Sequence, residues 1–320
     1  MTNLKKVGCT ALAGSLAAIT AVQAADVSVS GVARMQYTTL SVDTAALDET
    51  SSDAFGQNTS ITFSASGEMD NGMTGKWMHT HSGTGVFSSL VTLDMGDMGT
   101  VYMDQGNAGR QGITTIQDKV PNAGEQVWDD TGSAAGAHGG VEQGVANVGN
   151  GNTLGYAVSS GMMKLSAGLS YNNGSQESFA VTFTDVGGSG LSAGAGMATS
   201  ENVDEITEDD VDTVFATYTM GSITVGAQKT SVDAETAAQD IERNSYGISM
   251  SVNENLSVSY GVSDTEFDEA GLVDEENSGV SASYTAGGMT LGIVHNSKDN
   301  EGGTDQTDRS VTELKLTLAF

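Results

Sequence analysis

Basic residues are scarce: the 320-residue chain has 12 Lys and Arg against 41 Asp and Glu, a formal net charge of −29. Nucleic-acid binding needs clustered Lys and Arg to neutralise phosphate, so that partner class is excluded. Proline and cysteine occur once each, and the one cysteine, Cys9, lies in the N-terminal segment treated below. The rest of the chain therefore has no disulfide to rely on. Forty-two glycines with one proline are not the mixed Gly/Pro excess of low-complexity chains. Aromatics are only 6%, while Ala, Gly, Ser and Thr abound, which leaves little to fill the core of a soluble domain this long. Beyond residue 24 no apolar run approaches 18 residues, which excludes a transmembrane helix.

What is present begins with Lys5 and Lys6, ahead of an apolar, small-residue stretch over 7–22. Val22-Gln23-Ala24 then puts small residues at the −3 and −1 positions. This is the pattern of a secretory signal peptide, residues 1–24, cleaved after Ala24. The run falls short of the ~20 apolar residues an anchor helix needs. Cleavage removes two of the 12 bases and none of the acids, so the mature chain, 25–320, is at −31.

The mature chain alternates with period two almost throughout. Over 27–37, Val27, Val29, Gly31, Ala33, Met35 and Tyr37 face one way, and Ser28, Ser30, Val32, Arg34 and Gln36 the other. That is a strand with one apolar and one solvated face. The same reading over the chain predicts sixteen strands: 27–37, 59–69, 73–81, 86–95, 99–105, 152–159, 162–171, 177–185, 190–198, 212–220, 222–230, 244–252, 255–263, 278–286, 289–297 and 309–320. Most are near the ~9–11 residues that a tilted strand needs to cross a bilayer. Seven connections are short and rich in Gly, Asn and Asp. Eight are longer: 38–58, 82–85, 106–151, 172–176, 199–211, 231–243, 264–277 and 298–308. Short and long connections alternate, which closes an even, antiparallel, transmembrane β-barrel with both termini on the short-turn side. The alternative is a soluble β-solenoid or surface adhesin without a channel. It requires a fixed internal repeat, and the hairpin spacing has none.

Three segments carry a resemblance. The chain ends on Leu314, Leu316, Leu318 and Phe320, alternating in phase. This resembles the terminal strand that the barrel-assembly machinery of the outer membrane reads, which makes Phe320 an assembly signal. The segment 91–103 (VTLDMGDMGTVYM) is similar to the strand–turn–strand before the constriction loop of the Gram-negative general porins. Residues 151–156 (GNTLGY) with 163–171 (MKLSAGLSY) look like the hairpin after that loop. The resemblance implies an outer-membrane homotrimer of sixteen-stranded barrels, with the long third external loop folded into the lumen, that passes small hydrophilic solutes and ions passively and is not an enzyme. Where the family commonly has Gly-Arg after this strand, the chain has Asp104 and Gln105.

At 46 residues, the connection 106–151 is far longer than a structureless loop. As the constriction loop it carries five acids, Asp118, Glu125, Asp129, Asp130 and Glu142, and two bases, Arg110 and Lys119. By parity, Arg34, Lys76, Lys164, Arg309 and Lys315 fall on the lumen wall together with Asp104, because a base on the lipid face costs ~2–4 kcal/mol at the midplane. Acids outnumber bases at the loop, so cation selectivity is expected. Glu313 and Lys315, two apart on one face, are expected to pair. His79 and His81 share the outward face with Trp77, and no third ligand accompanies them, so no metal site is assigned. No cofactor is expected. The acidic stretches 201–212 and 264–276 offer oxygen ligands for weak Ca²⁺ or Mg²⁺ binding, but they lack EF-hand spacing and read first as solvated surface.

Overall fold

The computed structural model describes residues 26–44, 47–82, 85–106, 112–127, 152–171, 174–202, 208–235 and 240–320. Residues 1–24, and with them the predicted signal peptide, lie outside the described residues, as do Arg110, Asp129, Asp130 and Glu142. Sixteen strands follow one another: β1 (Asp26–Thr44), β2 (Leu47–Glu68), β3 (Thr74–Ser82), β4 (Gly85–Asp94), β5 (Thr100–Gly106), β6 (Thr153–Ser160), β7 (Met163–Tyr171) and β8 (Gly174–Phe183). Then come β9 (Leu191–Asn202), β10 (Glu208–Met220), β11 (Ile223–Ala234), β12 (Ile241–Ser251), β13 (Leu256–Phe267), β14 (Glu275–Ala286), β15 (Met289–Asp299) and β16 (Thr307–Ala319). Each pairs antiparallel with the next, and β1 pairs with β16 to close the barrel. Closure gives every strand a partner on both sides, a condition for backbone inside lipid, while residues 47–59 of β2 run on past β3 and pair with β1 alone. The last residue completes the seam, since Phe320 N donates to Gly31 O at 2.9 Å and Gly31 N to Phe320 O at 3.1 Å. Between β10 and β11 the chain reverses over two residues, with Gly221 at φ 60°, the left-handed geometry that tight hairpins favour.

The faces sort as the alternation requires. Outward residues are large and apolar: Met35, Ile61, Phe179, Met197, Val214, Tyr246, Tyr260, Val280, Ile293 and Leu314 are all exposed. Water would penalise so much apolar surface at roughly 25 cal/mol per Å², whereas hydrocarbon does not. Trp77, Phe183, Tyr218, Tyr284 and Phe320, also exposed, lie within three residues of strand ends on the short-turn side. There they form a girdle at headgroup level. Inward residues are small or polar, among them Gln36, Thr38, Ser166, Ala180, Thr213, Gln228, Ser245, Ser263, Asn277 and Asn296, all buried.

All sixteen predicted strands are present, but several run past the predicted ends. Residues 38–58, expected to be a loop, are mostly strand: β1 has 19 residues and β2 has 22. At ~3.3 Å per residue β2 spans about 70 Å, more than twice the ~30 Å of hydrocarbon. The expected loops 199–211, 231–243, 264–277 and 298–308 shrink in the same way. The physical reason is that the ladder of backbone hydrogen bonds continues into water, while the apolar–polar alternation that marks a strand in sequence stops where the lipid stops.

Candidate functional site: the lined lumen

The described part of the long connection, residues 112–127, lies against the inner wall from β7 round to β16. It begins as a short 3₁₀ turn, Gly112–Ile116, in which Ile113 and Ile116 are fully buried against Ala180, Ala198, Val211 and Phe215. These are inward positions of β8, β9 and β10. Wall side chains then take up the loop's backbone groups one by one. Gly112 N donates to Ser166 Oγ (2.9 Å), and Gln228 Nε2 donates to the carbonyls of Ile116 and Gln117 (2.9 Å each). The Oε1 of Gln228 accepts from Lys119 N at 2.9 Å. Ala123 N donates to Ser259 Oγ (2.8 Å), and Asn296 Nδ2 donates to Gln126 O (2.9 Å). Each buried backbone group so satisfied avoids a desolvation penalty of about 1–3 kcal/mol. Gln126 Nε2 returns to Val120 O at 3.0 Å, and Val120 and Val127 form a small apolar cluster of their own.

The charged residues fall into three groups by height. Midway, Glu125 on the loop is ion-paired with Lys315 of β16, whose Nζ is also 3.2 Å from Glu313. Glu313 is fully buried and accepts from Gln36 Nε2 and, at 3.1 Å, from Thr38 Oγ1. Arg34 is on the inward side of β1, one inward position from Gln36, whose partner across the seam is Lys315. Asp104 is buried on the inward face of β5, and Asp118 is half-buried on the loop. Lys119 Nζ sits 5.8 Å over the Phe215 ring.

The other predicted wall bases have the expected parity but not one common height. Lys76 lies near the short-turn end and pairs with Asp94 at 3.8 Å, both well exposed. Lys164 is exposed beside the turn that joins β6 to β7. Arg309 is at the opposite end, ion-paired with Glu301. The bases expected on the lumen wall are thus spread along its height. Glu125 of the loop and Lys315 of the wall are in direct contact rather than facing each other across open space.

A third group escaped the sequence reading. Arg243, Glu275 and Lys298 are buried together at the long-connection end, with Glu275 3.8 Å from Arg243 and 3.3 Å from Lys298. Arg243 Nε donates to Thr265 Oγ1 (2.8 Å), while Asn277 Nδ2 (2.9 Å) and Gly302 N (2.8 Å) donate to Glu275. The connections above clasp each other through Val273 N to Gly303 O (2.9 Å) and Asn300 Nδ2 to Asp274 O (3.1 Å). In that cover, burial pushes the Glu301 carboxyl up, against the pull of Arg309 and Lys298. On the outward face of β3, His79 Nε2 is 3.2 Å from His81 Nε2, with Trp77 stacked on His79. Among the described residues no three His, Cys, Asp or Glu side chains converge as metal ligands. Phe320 is exposed on the outward face, its ring over Gly31.

A closed barrel with a lipid-compatible exterior and a loop-lined lumen is an outer-membrane β-barrel of the channel class. The model of the Gram-negative porin family matches residues 8–270, and the chain belongs to that family. Its place is the bacterial outer membrane. Its fold is similar to an anion-selective porin from Comamonas acidovorans, at 15% identity over 92% of this chain and 100% of that one, TM-score 0.67. OmpT of Vibrio cholerae, in its trimer form, is 13% identical over 93% and 100%, TM-score 0.63. A variant of Rh. blastica porin is 16% identical over 92% and 100%, TM-score 0.61. No curated protein sequence matches the chain.

Proposed function

We propose that the protein is a general diffusion channel for small hydrophilic solutes and ions, that it prefers cations, and that it works as a homotrimer. Selection is by size and charge at the lined part of the lumen, with no energy coupling and no chemistry. The observation that carries the cation preference is the state of Lys315: this wall base is held between two carboxylates, Glu125 and Glu313. It contributes little free positive field to a passing ion. Arg243 and Lys298 are held by Glu275, and Arg309 by Glu301. The external ends of the described strands meanwhile carry Asp43, Asp53, Asp209, Asp210, Asp233, Asp264, Glu266, Glu276, Asp299 and Asp308. A narrow, low-dielectric wall focuses that negative field, and salt screens it beyond ~8 Å, so the constriction has the last word. The Comamonas porin is described as anion-selective, but at 15% identity the likeness extends to the fold and not to the charges.

The test is the reversal potential of refolded protein in a planar bilayer across a KCl gradient. A cation-selective sign is expected. An anion-selective sign would show that Arg34 and the other wall bases outweigh the acids, and no conductance at all would favour an adhesin. Trimer formation, supported by the trimer form of the Vibrio cholerae relative, is checked by the mass of the detergent-solubilised particle.

A further inference from the structure

Four glycines lie side by side across consecutive strands on the inward face: Gly226 of β11 pairs with Gly247 of β12, Gly247 with Gly261 of β13, and Gly261 with Gly279 of β14. Glycine weakens a strand interior, so a row of four in register calls for a reason. The row is occupied. A Cβ at Gly226 would lie 2.6 Å from Pro121 Cδ, and one at Gly247 would lie 2.8 Å from Pro121 O. One at Gly261 would lie 2.8 Å from Val127 Cγ1. At Gly279 it would collide with the Asn296 side chain, which holds the carbonyl of Gln126. Three of the glycines thus admit the loop, and the fourth admits the side chain that ties it down.

We propose that Gly226, Gly247, Gly261 and Gly279 form a seat that sets the cross-section of the channel, by letting residues 120–127 lie flush against the wall instead of standing in the lumen. The inference rests on the channel reading above and adds the residues that position its constriction. The polar anchors fix the segment at both ends: Gln228 holds 116–119, and Asn296 holds Gln126. Volume added beneath Pro121 therefore has one direction in which to push, which is inward to the lumen.

The experiment compares Gly247→Ala and Gly247→Val with Gly292→Val. Gly292 is an inward glycine of β15 where a Cβ would meet nothing nearer than Ala282 O at 4.0 Å. Retention of the barrel is checked by heat-modifiable migration on gels. Single-channel conductance is expected to fall in the order Ala, then Val at position 247, the Val variant losing on the order of a third, with a smaller loss at position 292. Deuterium uptake by backbone amides of 112–127 is expected to rise in Gly247→Val and not in Gly292→Val. Should Gly247→Ala alone give a folded barrel, its uptake against wild type decides. Unchanged conductance and uptake in folded position-247 variants overturn the seat, as does an equal change at position 292. If wild type does not conduct, the channel reading fails, and the uptake comparison still decides whether the glycines seat the loop.

Discussion

Two stretches of the inner wall solve the same problem differently. On β2 and β3, inward side chains remain half-buried or exposed and satisfy one another across strands: Ser64 pairs with Ser28 of β1 (2.7 Å), and Thr62 with Thr80 (2.8 Å). On β7 to β16, inward side chains at the height of the loop are buried or half-buried, and their donors and acceptors turn to the loop: Ser166, Gln228, Ser259 and Asn296 each take a backbone group of residues 112–126. The first wall is made to face water; the second is made to hold a piece of the chain. One barrel thus has a wetted arc, whose side chains meet the solute, and a seating arc, whose side chains act on the solute only through the loop. Substitutions on the two arcs should differ in kind, and the following tests press on that difference.

The largest effect is expected where the loop is tied by charge. Lys315→Met removes the common partner of Glu125 and Glu313, and Glu313 is fully buried. Breaking a buried pair from one side costs about 3–5 kcal/mol, because the charge left behind keeps its desolvation penalty. The variant should unfold at markedly lower temperature, and its reversal potential should move further to the cationic side. An unchanged melting temperature would mean that water already reaches Glu313 and that the seating arc is wetter than its burial indicates.

Gln228→Ala is next. It removes three hydrogen bonds to the loop and one to Thr213, at 3.2 Å, and leaves buried backbone groups at 116–119 without that partner. The expected loss is about 1–3 kcal/mol, felt locally rather than over the whole barrel. It should appear as protease sensitivity and faster amide exchange over 112–119, with more current noise in the open channel. A variant as protected as wild type would place the anchorage of 112–119 in the apolar contacts of Ile113 and Ile116 and the Gly112–Ser166 hydrogen bond instead.

These positions also mark what the sequence could tell. Alternation over 27–37 or 278–286 shows a strand because lipid imposes an apolar face there, and the terminal Leu314–Phe320 phase shows which face it is. Arg243, Glu275 and Lys298 were invisible because they lie within or at the edge of the predicted loops 231–243, 264–277 and 298–308, on strand extensions that lipid no longer patterns. Gln228 and Asn296 read as ordinary polar wall residues, since nothing local says that a segment a hundred or more positions away will dock on them. The glycine row did leave a signal: Gly226, Gly247, Gly261 and Gly279 all occupy the polar parity of successive strands. A polar-face glycine repeated in four neighbours argues for close approach on the inner side. Heights along the wall were not legible, because parity fixes the face of a residue and says nothing about how the strands are staggered. That is why Lys76, Lys164, Arg309 and Lys315, all of the expected parity, do not form one wall.

The smallest effect is expected from the wetted arc, and it makes the comparison sharpest. Lys76 is a lumen-face base like Lys315 and also has a carboxylate partner, Asp94 at 3.8 Å, but both side chains are about half exposed. An exposed pair of this kind is worth about 0–1 kcal/mol, since water solvates each ion when the other is removed. Lys76→Met should therefore leave the melting temperature unchanged within error. It also lies near the short-turn end, away from residues 112–127, so screening over ~8 Å limits what its loss can do to ions at the constriction. A small shift of reversal potential toward cations is expected at low salt, and it should vanish in molar KCl. The corresponding shift in Lys315→Met should survive high salt, because the charges there are enclosed. If Lys76→Met destabilised the barrel as strongly as Lys315→Met, the distinction between a wetted and a seating arc would not hold.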